Sequence, residues 1–175
     1  VDGGVFRLTE GLLDKYGKDR VIDTPLAESA IIGTSIGMAM AGLKPVCEMQ
    51  FSGFSYLMMG QFEAHATRMR ARTHGQLTVP MVIRMPFGGG VRALEHHSES
   101  REILYAHLPG AKVVIPSGPR NARALLLAAI RDPDPVVFMA AAAERTTRIK
   151  LGTGVLSLPY HHPLIVADRM VQLDH

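Results

Sequence analysis

The sequence predicts an α/β fold, a doubly wound and mostly parallel sheet with helices on both faces. Two observations predict it. Short apolar runs recur at residues 20–23, 45–51, 79–85, 112–115 and 135–139, and they are continuous rather than alternating. Strands buried on both faces read this way. Segments with helical spacing fall between them, and strand–helix alternation with right-handed crossovers closes into a layered sandwich. Functional groups in such sheets gather beyond the carboxyl ends of the strands. Residues 24–28, 52–56, 86–98 and 116–120 follow those ends, so Glu28, Phe54 and His97 are expected on one rim.

Residues 1–19 are a polar lead-in with a short helix expected at 9–16, followed by the first strand, RVID, at 20–23. The next stretch, DTPLAESAIIGTSIGMAMAG, organises the chain. Thr24 and Pro25 read as a hydroxyl cap and a first-turn proline. Gly42 reads as the stop, with Lys44-Pro45 preventing continuation. Ile31, Ile32, Ile36, Met38 and Met40 place apolar side chains nearly all round, which predicts a buried helix. Gly33, Gly37 and Ala41 recur every four residues and form a smooth ridge that another backbone can approach closely. PVCEMQF at 45–51 is the second strand, and a long helix is expected over 55–73. VPMVIRM at 79–85 is the third strand, 86–95 a glycine-rich loop, and 98–108 a helix. A fourth strand at 112–115 ends at Pro116, a strong helix runs over 118–131, and PVVFM at 135–139 is the fifth strand. From Ala140 the alternation stops. One domain is therefore expected at 1–139 and a divergent tail at 140–175, with a last strand at 164–166.

Bulk properties narrow the function. The length of 175 residues suits a domain with a sizeable core. No segment approaches a membrane span. The formal charge of +3 is mild, and Arg68, Arg70, Arg72, Arg145 and Arg148 carry no aromatic interleaving, so a solvated face is expected rather than nucleic-acid binding. The single cysteine, Cys47, excludes an internal disulfide and fits a reducing compartment. It lies in an apolar strand, which points to a buried thiol and not a nucleophile. The chain opens VDGGVF with no secretory signal and no methionine, as a start cut from a longer product would.

Several residues invite a chemical reading. Glu28 sits in the first turns of the organising helix, where a solvated carboxylate would complement the helix dipole. Its apolar surroundings favour burial instead, and a carboxyl withdrawn from water shares or holds a proton more readily. Gly88-Gly89-Gly90 matches neither the dinucleotide fingerprint nor the nucleotide-triphosphate loop, so a turn is expected there. Glu95-His96-His97-Ser98-Glu99 has a metal-like composition, but adjacent histidines on an extended segment point opposite ways and no zinc spacing accompanies them. His97 is as consistent with a solvated loop residue as with a catalytic one. Ser98 lacks the nucleophile elbow.

GGVFRLTEGLLDKYGKDRVIDTPLAES, AGLKPVCEMQF, RARTHGQLTVPMVIRMPFGGG, HHSES and PGAKVVIPSGPRNARALLLAAIRDPDPVVF resemble the β subunit of the decarboxylating component of 2-oxo acid dehydrogenase complexes, of the pyruvate and branched-chain kinds. The resemblance covers residues 3 to about 138. It includes the spacing Glu28…Gly33…Gly37 shared by thiamine diphosphate enzymes, with Thr34 where a hydrophobic residue is usual. The resemblance implies a domain that binds the aminopyrimidine half of thiamine diphosphate. It implies that Glu28 bonds the ring nitrogen and so activates the cofactor, that Phe54 stacks beside the pyrimidine, that Gln50 lines the site, and that His97 positions substrate and the acyl-accepting lipoyl group. Glu99 stands where the family often has glutamine. A structural potassium ion is implied at the positions of Met81, Ala129, Asp132 and Asp134, though RDPDP also reads as a plain turn.

The resemblance further implies partners. These are an α subunit that holds the diphosphate and its magnesium, a second β chain, and the lipoyl acyltransferase core. The implied location is the cytoplasm of a bacterium or the mitochondrial matrix of a eukaryote. The family's second α/β domain is not matched after Ala140, where AAAAERTTRIK replaces its usual segment. The alternative is therefore a truncated, non-catalytic remnant or interaction module with the same fold. A transketolase-like half-protein fits less well, because HHSES and RDPDPVVF belong to the dehydrogenase pattern.

Overall fold

Val46–Glu48 (β1), Val82–Phe87 (β2), Lys112–Val114 (β3) and Val136–Ala141 (β4) build one parallel sheet in the order β1–β2–β4–β3. The computed structural model describes residues 3, 4, 6–91 and 93–141. The tail from 142 onward, with the strand expected at 164–166 and the arginines at 145 and 148, lies outside the described residues. Register follows burial. Cys47 pairs with Ile83, Ile83 with Val137, and Val137 with Val113, so these side chains share one face. That face packs on Ile32, Ile36 and Ala39 of α2 (Glu28–Met40), on Met58 and Phe62, and on Tyr105 of α5 (Glu102–Ala106). On the opposite face Val82, Val136 and Phe138 meet Ala122, Leu125, Leu126, Ala129 and Ile130 of α6 (Pro119–Arg131). Helices thus cover both faces, as the continuous apolar strands require.

Three expectations are corrected. The strand at 20–23 does not form among the described residues, and Ile22 is 59 % exposed. Two apolar residues between Arg20 and Asp23 offer too little surface to hold an edge strand. The organising helix begins at Glu28 rather than at a Thr24 cap with Pro25 in its first turn, because Leu26, 73 % exposed, finds no core to join. Its end is as expected. Gly42 takes φ +94, its N–H donates to Ala39 O at 3.0 Å, and Leu43 N–H donates to Met38 O at 3.0 Å, a Schellman stop. The helix also keeps a wet side: the sheet covers only the Ile32–Ile36–Ala39 stripe, while Gly37 and Ala41 face outward.

The long helix expected at 55–73 is broken into a 3₁₀ segment (Ser52–Met58), α3 (Met59–Gln61), a π-turn (Phe62–Ala66) and α4 (Met69–Arg72). Thr67 explains the π-turn. Its N–H reaches back five residues to Phe62 O at 3.1 Å, while its hydroxyl donates to Glu63 O at 3.0 Å. Gly110, at φ +84, packs so tightly on this turn that a Cβ would lie 2.0 Å from Thr67 O. The remaining helices are shorter than expected at their starts, with α1 at Leu12–Tyr16 and α5 opening at Glu102. The arginines of the broken helix are solvated and paired: Arg68 with Glu63 at 3.1 Å, Arg70 with Asp134 at 2.7 Å, and Arg72 with Ala64 O at 2.7 Å. Among the described residues no helix is long and apolar enough to cross a membrane.

Cys47 is a buried thiol. Burial pushes it up to about 11, although its hydrogen bond to Ser35 Oγ, at 3.0 Å, pulls the other way. Its folded value lies above the ordinary 9.0, so its contribution to stability is complete below pH 9 and is lost as pH rises towards 11. Holding the thiol in its neutral form contributes on the order of 3 kcal/mol. Cys47→Ala is expected to flatten the alkaline limb of the stability–pH curve measured by urea unfolding. The native thiol is expected to resist a disulfide reagent at pH 8.

Candidate functional site

Two neighbouring groups of side chains make up the site. The first is an open cleft of about 610 Å³ at the start of α2. Glu28, Ala27, Ser29, Ala30, Gly33 and Thr34 form its floor, and Leu57 and Gln61 form its wall. Because the helix opens at Glu28, the carboxylate sits on the first turn, where the helix dipole favours negative charge. Glu28 is only 8 % exposed, and among the described residues no hydrogen bond or ion pair engages its side chain. Its oxygens are not among the buried atoms that lack a partner, so the carboxylate reaches the open cleft and is available to a bound group. Gly33 keeps the cleft clear, for a Cβ there would meet only the Gln61 side chain, at 3.7 Å.

The second group joins the segment after β1 to the segment after β2. The His97 ring centroid lies 4.7 Å from that of Phe51 and 5.3 Å from that of Phe54, both edge-on. Phe6 packs on Phe51 from the other side at 5.8 Å. Ser52 Oγ donates to Glu99 O at 2.7 Å, and Gly88 N–H donates to the same oxygen at 2.9 Å. Gly53 lies directly under the His96 backbone, where a Cβ would come within 2.3 Å of His96 O. His96 itself takes φ +70, a left-handed conformation uncommon outside glycine. This turn differs from the extended segment expected for the two histidines, and both rings reach Phe54, His96 at 6.0 Å and His97 at 5.3 Å. Among the described residues no cluster could hold a metal ion.

The structure therefore brings Phe54 and His97 together and sets Glu28 in the adjoining cleft. The 3₁₀ segment links them, with Phe54 and Leu57 on the same short element. Gln50 is exposed and lies between the buried Met49 and Phe51. The turn at 116–120 makes no described contact with the cluster. It is organised locally, by Ser117 N–H donating to Asn121 Oδ1 at 3.2 Å. The Gly88–Gly90 run is a turn, Gly88 at φ +92 with its N–H engaged by Glu99 O. Ser98 Oγ donates to Ala93 O at 2.7 Å and faces no base.

Sequence reasoning missed Phe51, Ser52, Gly53 and Tyr56 as site residues. The signal was present in FSGFSY, whose small residues alternate with aromatic ones where a loop must pass beneath another.

The positions considered for potassium lie at the opposite, amino-terminal end of the strands, beside the starts of β2 and β4. Met81 O accepts Val136 N–H at 3.0 Å, and Ala129 O accepts Asp132 N–H at 3.2 Å. Lys112 Nζ stands 2.8 and 2.7 Å from the two oxygens of Asp132, and Arg70 Nε stands 2.7 Å from Asp134 Oδ1. Burial raises the Asp132 carboxyl, but hydrogen bonds from Lys112 and Asp134 N–H, with the charges of Lys112 and Arg70, outweigh it and leave it below the usual range.

Comparison with known proteins agrees with this architecture. Residues 1–144 match the family described as transketolase, pyrimidine binding domain. Residues 117–175 also match the luciferase-like monooxygenases, a stretch that overlaps the first through α6 and β4. The pyruvate dehydrogenase E1 component subunit beta of Acholeplasma laidlawii is 61 % identical over 138 residues, 79 % of this chain and 42 % of its own length. That of Bacillus subtilis is 55 % identical over 139 residues, 79 % of this chain and 43 % of its own. The 3-methyl-2-oxobutanoate dehydrogenase subunit beta of Mycobacterium tuberculosis is 46 % identical over 165 residues, 94 % of this chain and 47 % of its own. The chain thus spans less than half the length of these curated relatives. A solved structure described as a split gene transketolase, inactive beta4 tetramer, shares the fold at TM-score 0.56 and 17 % identity, covering 74 % of this chain and 39 % of that one. With four parallel strands, helices on both faces, a buried glutamate opening the glycine-ridged helix and a match over 1–144, the chain belongs to the family of transketolase pyrimidine-binding domains.

Proposed function

We propose that this chain supplies the pyrimidine-binding half of a thiamine diphosphate-dependent 2-oxo acid dehydrogenase, acting on pyruvate or a branched-chain 2-oxo acid with acyl transfer to lipoyl. One observation carries the reading: Glu28 is buried, has no partner among the described residues, and opens into a cleft. An aminopyrimidine suits that carboxyl, because its ring nitrogen needs one with which to share a proton. When bound, thiamine diphosphate supplies the carbanion chemistry of decarboxylation. Glu28 holds the proton at the ring nitrogen. Leu26 and Leu57 border the cleft and offer apolar contact to the bound ring. Phe54, on the same 3₁₀ segment as the cleft residue Leu57, offers an aromatic face, and Gln50 an exposed amide, though neither lines the cleft itself. His97, held edge-on by Phe51 and Phe54, is placed to orient a substrate carboxylate or an incoming acyl acceptor.

In this reading an α subunit contributes the diphosphate and magnesium site, a second β chain completes the assembly, and a lipoyl acyltransferase core receives the acyl group. The outward glycine ridge of α2 suits close approach by such a chain. Potassium fits less well. The carbonyls of Met81 and Ala129 each already accept one N–H, and an ion there would compete with Lys112 for the Asp132 carboxylate.

Co-expression with an α chain tests the proposal. The expected result is co-elution by size exclusion, retained thiamine diphosphate, and decarboxylation of pyruvate or a branched-chain 2-oxo acid. Failure to co-elute and to retain the cofactor would favour the non-catalytic remnant.

A further inference from the structure

We infer that Glu99 is a positioning residue for His97, acting through the turn that carries both. Its main-chain oxygen accepts both Ser52 Oγ–H, at 2.7 Å, and Gly88 N–H, at 2.9 Å, so one atom ties the segment after β1 to the segment after β2. Its carboxylate takes Arg101 Nη1 at 2.9 Å and faces His96 Nδ1 at 3.5 Å. The Arg101 guanidinium lies 5.2 Å over the Tyr56 ring, and that ring lies 6.0 Å from His96. Glu99, Arg101, Tyr56 and His96 thus close a ring of contacts around the turn.

The ring has strain to hold. His96 sits at φ +70, which a residue with a side chain adopts only when its surroundings enforce it. With the chain reversed there, and His97 N–H donating to Leu94 O at 3.2 Å, the His97 ring turns onto Phe51 and Phe54. His96 Nδ1 and Arg101 Nε are buried without hydrogen-bond partners, so no other acceptor among the described residues stands ready to replace the carboxylate. The carboxylate bonds the Arg101 guanidinium through one oxygen and turns the other to His96 Nδ1 at 3.5 Å, a contact longer than a hydrogen bond. An amide of the same shape offers one acceptor oxygen and presents an NH₂ group to the other donor. Glu99→Gln therefore keeps the main-chain bonds and removes only the side-chain hold.

The proposal deepens the functional reading, but its first test does not depend on it. With the full chain labelled at histidine, the His97 ring protons are expected to carry ring-current displacement from Phe51 and Phe54. In Glu99→Gln these signals are expected to move towards the position of free histidine, while methyl signals of Ile83 and Val137 stay in place. Arg101→Met, which removes the other end of the pair, is expected to displace the same signals and provides a second route if the glutamine variant does not fold. Unmoved His97 signals in either folded variant would overturn the inference. In the complex with an α chain, Glu99→Gln is expected to lower kcat/KM about ten-fold through misplacement of His97. A wild-type complex without turnover would count against the proposed function and leave the spectra to decide the positioning role.

Discussion

Glu28→Gln is expected to abolish measurable turnover of the assembled enzyme, with a loss of roughly 10²–10⁴-fold, the range that general acid–base groups supply. The substitution is nearly isosteric, so the cleft, the helix start and the apolar wall of Leu26 and Leu57 remain. What disappears is the ability to share a proton with a ring nitrogen. An amide can still donate or accept a hydrogen bond, so cofactor retention is expected to fall far less than turnover. That split separates a chemical role from a structural one. Native Glu28 has no partner among the described residues, so the amide breaks no contact of the free chain. The variant is therefore expected to be at least as resistant to urea as the parent. Unchanged turnover in Glu28→Gln would end the assigned role.

Gly53→Ala is expected to destabilise the fold by about 3 kcal/mol, the upper part of the range for overpacking, because the obstacle is main chain rather than a movable side chain. The added Cβ would lie 2.3 Å from His96 O, 2.5 Å from His96 Cα and 2.6 Å from its carbonyl carbon. Either the segment after β1 retreats or the histidine turn lifts. Both movements strain the bond from Ser52 Oγ to Glu99 O and separate Phe54 from His97. Urea unfolding measures the stability loss, and the His97 ring-proton signals report the separation. Gly37→Ala is the control. A Cβ at Gly37 meets nothing within 4 Å, so the better helix former is expected to stabilise α2 by about 0.5–1 kcal/mol in the free chain. Equal behaviour of the two variants would show that the close approach at Gly53 is not what holds the loops.

The readable features were those governed by local pattern or by family motif. Continuous apolar runs marked four of the five strands, because a strand buried on both faces has no polar alternation to blur it. The stop at Gly42 was legible because glycine has a narrow backbone meaning, and the helix expected over 118–131 starts one residue later, at Pro119. Cys47 was read as a buried thiol from its apolar neighbours, and the site is as inert as that implies. The failures share a cause. RVID carries apolar residues but has no partner strand among the described residues, and the 55–73 helix has good spacing yet is broken at Thr67 and seated by Gly110. In both, the outcome depends on what lies opposite in space.

Chain order alone was enough to name Glu28, Phe54 and His97, since each follows a strand or opens a helix and each motif is contiguous. It could not say that the cleft at Glu28 is lined without Phe54 or His97, which meet each other beside Phe51. Nor could it say that Glu99 bonds Ser52 across 47 positions, that Gly53 passes under His96, or that Lys112 faces Asp132. Those relations arise when parallel strands lay distant loops side by side. Side-chain packing and hydrogen bonding act through distances of a few ångströms, whatever the separation along the chain.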